Sequence, residues 1–253
     1  MKPILAFVVV ALLFSGCTTQ PPLENSPSYV VNSGKTHLPT MNCHPYDPQQ
    51  ANIVRLGADS NPQQALVIGN SEYEYSRLIN PPNDAQDMTD RLRQMGFSVT
   101  RAINLNRQAM ETEIGEFSKR LSNSQTPDSV GLFYFSGHGA QVDGENFLIP
   151  TNNCNIRDEA DLKAKAVHVQ NTILASMEQA NKGVNLMVLD ACRDNPFQGS
   201  DKTLSRGLAQ MLAPRGAFIA FASQAGQTVP DGDRRNGLYT EYLLKELSQA
   251  QHD

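Results

Sequence analysis

The sequence has no excess of basic residues: 21 Lys and Arg stand against 26 Asp and Glu, a formal net charge of -5. That balance offers no basic patch for nucleic acid. It has no CxxC pair, which argues against a dithiol redox role. It also lacks an apolar run long enough to span a bilayer, because the stretch from Ile4 to Phe14 is too short for a membrane helix.

That short run has another use. MKPILAFVVVALLFSGC carries a basic start at Lys2, an apolar centre and small residues before Cys17, the order of a secretory signal. FSGC is similar to a bacterial lipobox, although Phe14 stands where Leu is usual. The resemblance implies cleavage before Cys17, palmitate-type lipidation of its thiol and a signal peptide over residues 1–16. Thr18 rather than Asp after the cysteine implies the outer membrane, facing the periplasm. The alternative is an ordinary signal peptide with an incidental cysteine.

Three cysteines remain for an oxidising compartment, so one pair and one free thiol are expected. Cys43 and Cys154 sit in polar, turn-rich stretches (MNCHPYDP, PTNNCNIRD), whereas Cys192 ends an apolar run. A Cys43–Cys154 disulfide with Cys192 reduced is the expected arrangement, although spacing alone leaves connectivity open.

Residues 17–60 are rich in Pro, Ser, Asn and Gln and read as a polar tether. From residue 61 to 253 the texture is that of one domain. QALVIG is a continuously apolar strand, and NDAQDMTDRLRQMG a helix with Asn83 as N-cap and Gly96 as terminator. FSVTRAI is a second strand, and Met110, Ile114, Phe117 and Leu121 mark a second helix. Strand VGLFYFS, the extended piece NFLIP, a helix over Asn171 to Ala180, strands NLMVLD and GAFIAFAS, and helix GLYTEYLLKEL follow. Apolar strands alternating with amphipathic helices make an α/β fold, a mostly parallel sheet with helices on both faces.

Ligands bind such sheets at the carboxyl ends of strands. His138 follows VGLFYFS and Cys192 follows NLMVLD, so both lie there. Side chains alternate along a strand, placing Ser136 with His138, and Asp190 with Cys192, on one face each. If the strands are neighbours, a thiol meets an imidazole, which is a nucleophile with an acid/base partner. The glycines flanking His138 read as bare backbone for an incoming carbonyl, with the N–H groups of Gly139 and Cys192 as an oxyanion hole.

ALVIGN, PPNDAQDM, YFSGHGAQ and LDACRDNPF, in that order, resemble the caspase-like cysteine peptidases, in particular the metacaspase and bacterial orthocaspase branch. The resemblance covers residues 64 to about 245, with the histidine 54 positions before the cysteine, near the caspase-type separation of about 50. It implies a caspase-like three-layer sandwich and a thiol protease with Cys192 as nucleophile and His138 as general acid/base. It also implies a first specificity pocket lined by Asp84, Ser136 and Asp190. Paired carboxylates select a guanidinium or ammonium, so cleavage of protein substrates after Arg or Lys is expected. No Arg or Lys lies between Leu78 and Asp90 to hold an aspartate instead.

Other roles stay open at several of these positions. Cys192 could be a packed small residue, Asp190 could orient His138 as a third catalytic member, and Asp84 could stabilise a helix N-terminus. His37, His44, His168 and His252 read as non-catalytic. Calcium is implied by some relatives; Asp158, Glu159 and Asp161 are the nearest acidic residues but show no coordination spacing, so no metal site is assigned. Lys202, Arg206 and Arg215 lie in the connection after the nucleophile, where self-cleavage is expected if basic residues are preferred. Relatives usually continue into a further strand after GLYTEYLLKEL. Its lack would leave a sheet edge to pair with another chain, or an inactive caspase-like module that binds basic peptides or partner proteins.

Overall fold

Gln63–Gly69 (β2) is buried along nearly its whole length, as a strand must be when helices cover both sheet faces. In the computed structural model, which describes residues 42–124, 126–192, 208–222 and 234–249, it lies within a sheet of order β1-β3-β2-β4-β7-β8. The strands are β1 (Asn52–Leu56), β3 (Ser98–Ile103), β4 (Val130–Val142), β7 (Val184–Cys192) and β8 (Ala217–Phe221). All neighbouring pairs are parallel except β1 with β3. The distal half of β4 bends away to pair with β5 (Glu145–Leu148), which pairs with β6 (Val167–His168), both antiparallel. This is the three-layer α/β architecture expected from the sequence.

Alternation along β4 divides the core. Phe133 and Phe135 face α2 (Arg107–Asn123) and α4 (Ala175–Ala180), the latter entered through a wide π turn over Val169–Leu174. Met110, Ile114, Phe117 and Leu121 of α2 are the buried residues the periodicity marks, each such side chain contributing about 1.5–3 kcal/mol on burial. Leu132 and Tyr134 face the other layer, α1 (Pro81–Gln94) and α5 (Leu238–Gln249). Ser136 and His138 continue that alternation toward the strand end, and Ser136 meets Asp84 of α1 there.

Two expectations need correction. Residues 52–56 are not tether: they form β1, and Arg55 donates to both carboxylate oxygens of the buried Glu113 on α2 at 2.8 Å. Helix α1 starts at Pro81, with Asn80 as N-cap, because Pro-Pro fits the first helical positions where no N–H is needed. Asn83 instead donates through its side chain to the Arg235 carbonyl at 3.0 Å. The charged segment after residue 157 forms α3 (Glu159–Lys165), capped by Asp158, with Leu162 as its buried residue.

The leader, Cys17 and the first part of the tether lie outside the described residues, as do His37, Lys202, Arg206 and His252. Arg215 precedes β8. Among the described residues, no helix is long and apolar enough to cross a membrane.

Candidate active site

Parallel pairing of β4 with β7 sets Ser136 opposite Asp190, Gly137 opposite Ala191 and His138 opposite Cys192. The neighbour relation that the sequence left conditional is therefore met, at the carboxyl ends of two central strands.

His138 is buried and held from one side by the segment between β2 and α1. Its ring Nε2 lies 2.6 Å from the carbonyl oxygen of Ser76, and its backbone N–H donates to the hydroxyl of Tyr73 at 2.8 Å. A carbonyl only accepts, so in the neutral ring Nε2 carries the proton and Nδ1 is the acceptor nitrogen. The rings of Tyr73 and His138 stack obliquely, with centroids 4.4 Å apart. Ser76 turns its carbonyl toward the imidazole from a left-handed backbone conformation, φ +64°, which is uncommon outside glycine.

The flanking glycines have reasons inside the protein. A Cβ at Gly137 would lie 2.5 Å from the Tyr73 hydroxyl, and one at Gly139 2.9 Å from the Ala191 Cβ and 3.0 Å from Leu208. Bare backbone at 137 is what lets Tyr73 reach the His138 N–H.

Beside this pair, the three expected pocket residues come together. Ser136 Oγ donates to Asp84 Oδ2 at 2.9 Å, and the Gly237 N–H donates to Asp84 Oδ1 at 2.9 Å. Asp84 also lies in the first turn of α1, where the helix dipole favours a carboxylate, which is the structural role considered for it. Thr240 donates to Asp190 Oδ2 and shares a second hydrogen bond with Tyr134. Burial raises the Tyr134 phenol well above its usual range, and Asp190 and Asp84 push the same way. Tyr134 therefore stays protonated and donates to Thr240, leaving the threonine proton for Asp190. Arg235 clamps Asp87 of α1 with hydrogen bonds of 2.7 and 2.9 Å, fastening the start of the α5 segment beside the pocket.

The family model for the caspase domain matches residues 63–253. The chain belongs to the caspase-domain family.

Over 152 residues, 59% of this chain and 17% of the relative, it is 33% identical to mucosa-associated lymphoid tissue lymphoma translocation protein 1 of Homo sapiens. Over 131 residues, 51% of this chain and 14% of the relative, it is 34% identical to the Mus musculus homolog. The chain thus matches less than a fifth of the length of either protein. The fold is similar to that of a Geobacter sulfurreducens protein of known structure, with TM-score 0.55 and 16% identity, covering 74% of this chain and 83% of that one.

Several parts of this caspase domain were invisible to motif reading. The Ser76 carbonyl is a backbone group in an irregular loop and has no side-chain signature. Asp190 was considered as the orienter of His138, but its carboxylate accepts from Thr240, while the imidazole Nε2 meets Ser76. Thr240 and Gly237 lie some fifty residues past the cysteine, with no local signal tying them to the pocket. Cys43 and Cys154 are joined, with Cα atoms 5.9 Å apart. His168 caps the π turn by accepting from the Asn171 N–H and faces Glu145 at 3.3 Å.

The acidic residues considered for calcium do not converge as a site. Asp158 accepts from the Asp161 N–H, Glu159 pairs with Lys163 and Asp161 with Lys165. Among the described residues, no three His, Cys, Asp or Glu side chains are grouped to hold a metal ion.

Proposed function

We propose that this caspase domain is a cysteine endopeptidase that cuts after Arg or Lys, on the metacaspase/orthocaspase pattern of its sequence blocks. The observation that carries the reading is the β4/β7 register. It sets His138 against Cys192 and, two residues earlier, Ser136 against Asp190, with Asp84 bonded to Ser136.

In this reading the Cys192 thiolate attacks the scissile carbonyl carbon. The oxyanion is received by the N–H groups of Gly139 and Cys192. The His138 imidazolium protonates the departing amine from Nδ1, while its Nε2–H stays on the Ser76 carbonyl and fixes the ring. Water then attacks the thioester carbonyl, His138 takes its proton, and the thiolate leaves.

Two carboxylates held by Ser136, Gly237 and Thr240 form a cation-selective slot. A guanidinium can bond both in a planar fork, whereas an aspartate side chain would meet like charge. In this reading a lipid on Cys17, after removal of the leader, anchors the enzyme in the bacterial envelope, where it acts on protein or peptide substrates.

The test is hydrolysis of fluorogenic peptides ending in Arg, Lys or Asp by the chain from residue 18, beside Cys192→Ala, with and without calcium. Cleavage after Arg or Lys that disappears in the control supports the reading. No cleavage by folded protein in either condition would point instead to a module that binds basic peptides without cutting them.

A further inference from the structure

Both contacts that hold His138 from the loop side come from one short segment, through Tyr73 and Ser76. The segment lies between a strand and a helix and has no sheet partner of its own, so something else must fix it.

Tyr75, between the two contact residues, is bound by a single side chain. Its N–H donates to Asn153 Oδ1 at 2.9 Å, and its carbonyl accepts from Asn153 Nδ2 at 2.9 Å. One amide thus serves Tyr75 as a paired strand residue would. Asn153 is fully buried, so water cannot readily replace it.

Glu74 is held at three points: its N–H donates to the Thr151 carbonyl at 2.9 Å, its carbonyl accepts from the His44 N–H at 2.8 Å, and its carboxylate accepts from the Cys154 N–H at 2.9 Å. The two chain segments that grip it, 43–44 and 151–154, are themselves joined by the Cys43–Cys154 bond. A covalent link therefore closes a clamp around the residues next to Ser76.

We propose that Asn153 and the Cys43–Cys154 cross-link are positioning elements for His138, holding the Ser76 carbonyl on Nε2 so that the imidazole keeps one tautomer and one orientation. The inference rests on His138 being the acid/base of the proposed peptidase. It gives the disulfide a function in the site, beyond restraining the unfolded chain.

The test uses the chain from residue 18, without dithiol reductant, as parent, Asn153→Asp and Cys43→Ser/Cys154→Ser. Asn153→Asp keeps the acceptor for the Tyr75 N–H and the cross-link but loses the donor to the Tyr75 carbonyl. Three readouts are taken well below each thermal midpoint: kcat and KM on an arginyl peptide, the midpoint itself, and the His138 ring nitrogen shifts by long-range proton–nitrogen correlation, assigned against His138→Gln.

We expect kcat to fall about tenfold or more with KM nearly unchanged, within the scale of a remote change that misplaces a reacting group by up to an ångström. The two ring nitrogen shifts should move toward each other as the fixed tautomer is lost. Parent kcat and parent shifts in folded Asn153→Asp would overturn the proposal. If the double cysteine variant does not fold, Asn153→Asp alone decides. If the parent cleaves nothing, the peptidase reading fails separately, and the ring shifts still decide whether Asn153 holds the imidazole.

Discussion

The imidazole Nε2 of His138 lies 2.6 Å from the carbonyl oxygen of Ser76, 62 residues earlier in the chain. A backbone carbonyl cannot be removed by substitution, but its direction depends on the backbone angles of Ser76. At φ +64° glycine is at ease and proline, locked near -65°, is excluded. Ser76→Gly should keep kcat close to the parent value. Ser76→Pro should lower it about a hundredfold, the scale of an ångström-sized misplacement of a catalytic group. Steady-state kinetics on the two variants, with circular dichroism to verify folding, check this.

Gly137 and Tyr73 form a second pair whose terms are coupled. Gly137→Ala sets a methyl 2.5 Å from the Tyr73 hydroxyl and 2.8 Å from Phe135, an overpacking expected to cost about 1–3 kcal/mol. Tyr73→Phe removes the nearest of these atoms, so Gly137→Ala should cost less in that background. Urea unfolding of the two single variants and the double variant measures the coupling. Strict additivity would mean that the hydroxyl is not what requires glycine there.

Alkaline stability should report on the tyrosines around the pocket. Tyr134 is raised well above its usual range by burial and by Asp190 and Asp84, and Tyr239 is raised by burial and then by Asp190. With folded values above unfolded ones, their contribution is complete below about pH 10 and is lost as pH rises beyond it, because the unfolded chain releases the protons first. Denaturant midpoints should therefore decline from about pH 10 upward, and Tyr134→Phe should flatten part of that decline.

Strand β1 supplies a prediction about where the domain begins. Arg55 is half-exposed but reaches Glu113, whose side chain is 4% exposed. Arg55→Ala should cost about 1–3 kcal/mol, since it leaves a buried carboxylate without its charged donor. A chain starting at residue 61 should be less stable still, losing β1 and the Cys43–Cys154 link together. The link closes a loop with a sequence separation of 111 residues, and its loss alone removes about 4–5 kcal/mol by loop-closure arithmetic. Thermal melts of the shortened and parent chains compare the two.

Most of the sheet and helices could be read in advance because their signals are local. Phe133 and Phe135 lie within a continuous apolar run, and Met110, Ile114, Phe117 and Leu121 keep helical spacing whatever packs on them. β1 carries no such signal because an edge strand buries little: Asn52, Ile53 and Arg55 are all exposed, so no alternation marks it. Asn83 has a capping side chain, but the Pro-Pro pair before it fixes the first turn of α1 more strongly.

The site divides in the same way. His138, Cys192, Asp84, Ser136 and Asp190 belong to compact blocks whose residue types carry their chemistry with them. Apolar periodicity and side-chain chemistry are properties of short stretches, so the sequence alone already supplied this candidate set of groups and the strands bearing them. Tertiary structure alone decided that β4 and β7 are neighbours in register, that the Ser76 carbonyl faces His138, and that Asn153 and Cys154 grip the loop between Tyr73 and Ser76. These relations join segments tens of residues apart through backbone groups, and backbone groups are identical at every position until the fold chooses among them.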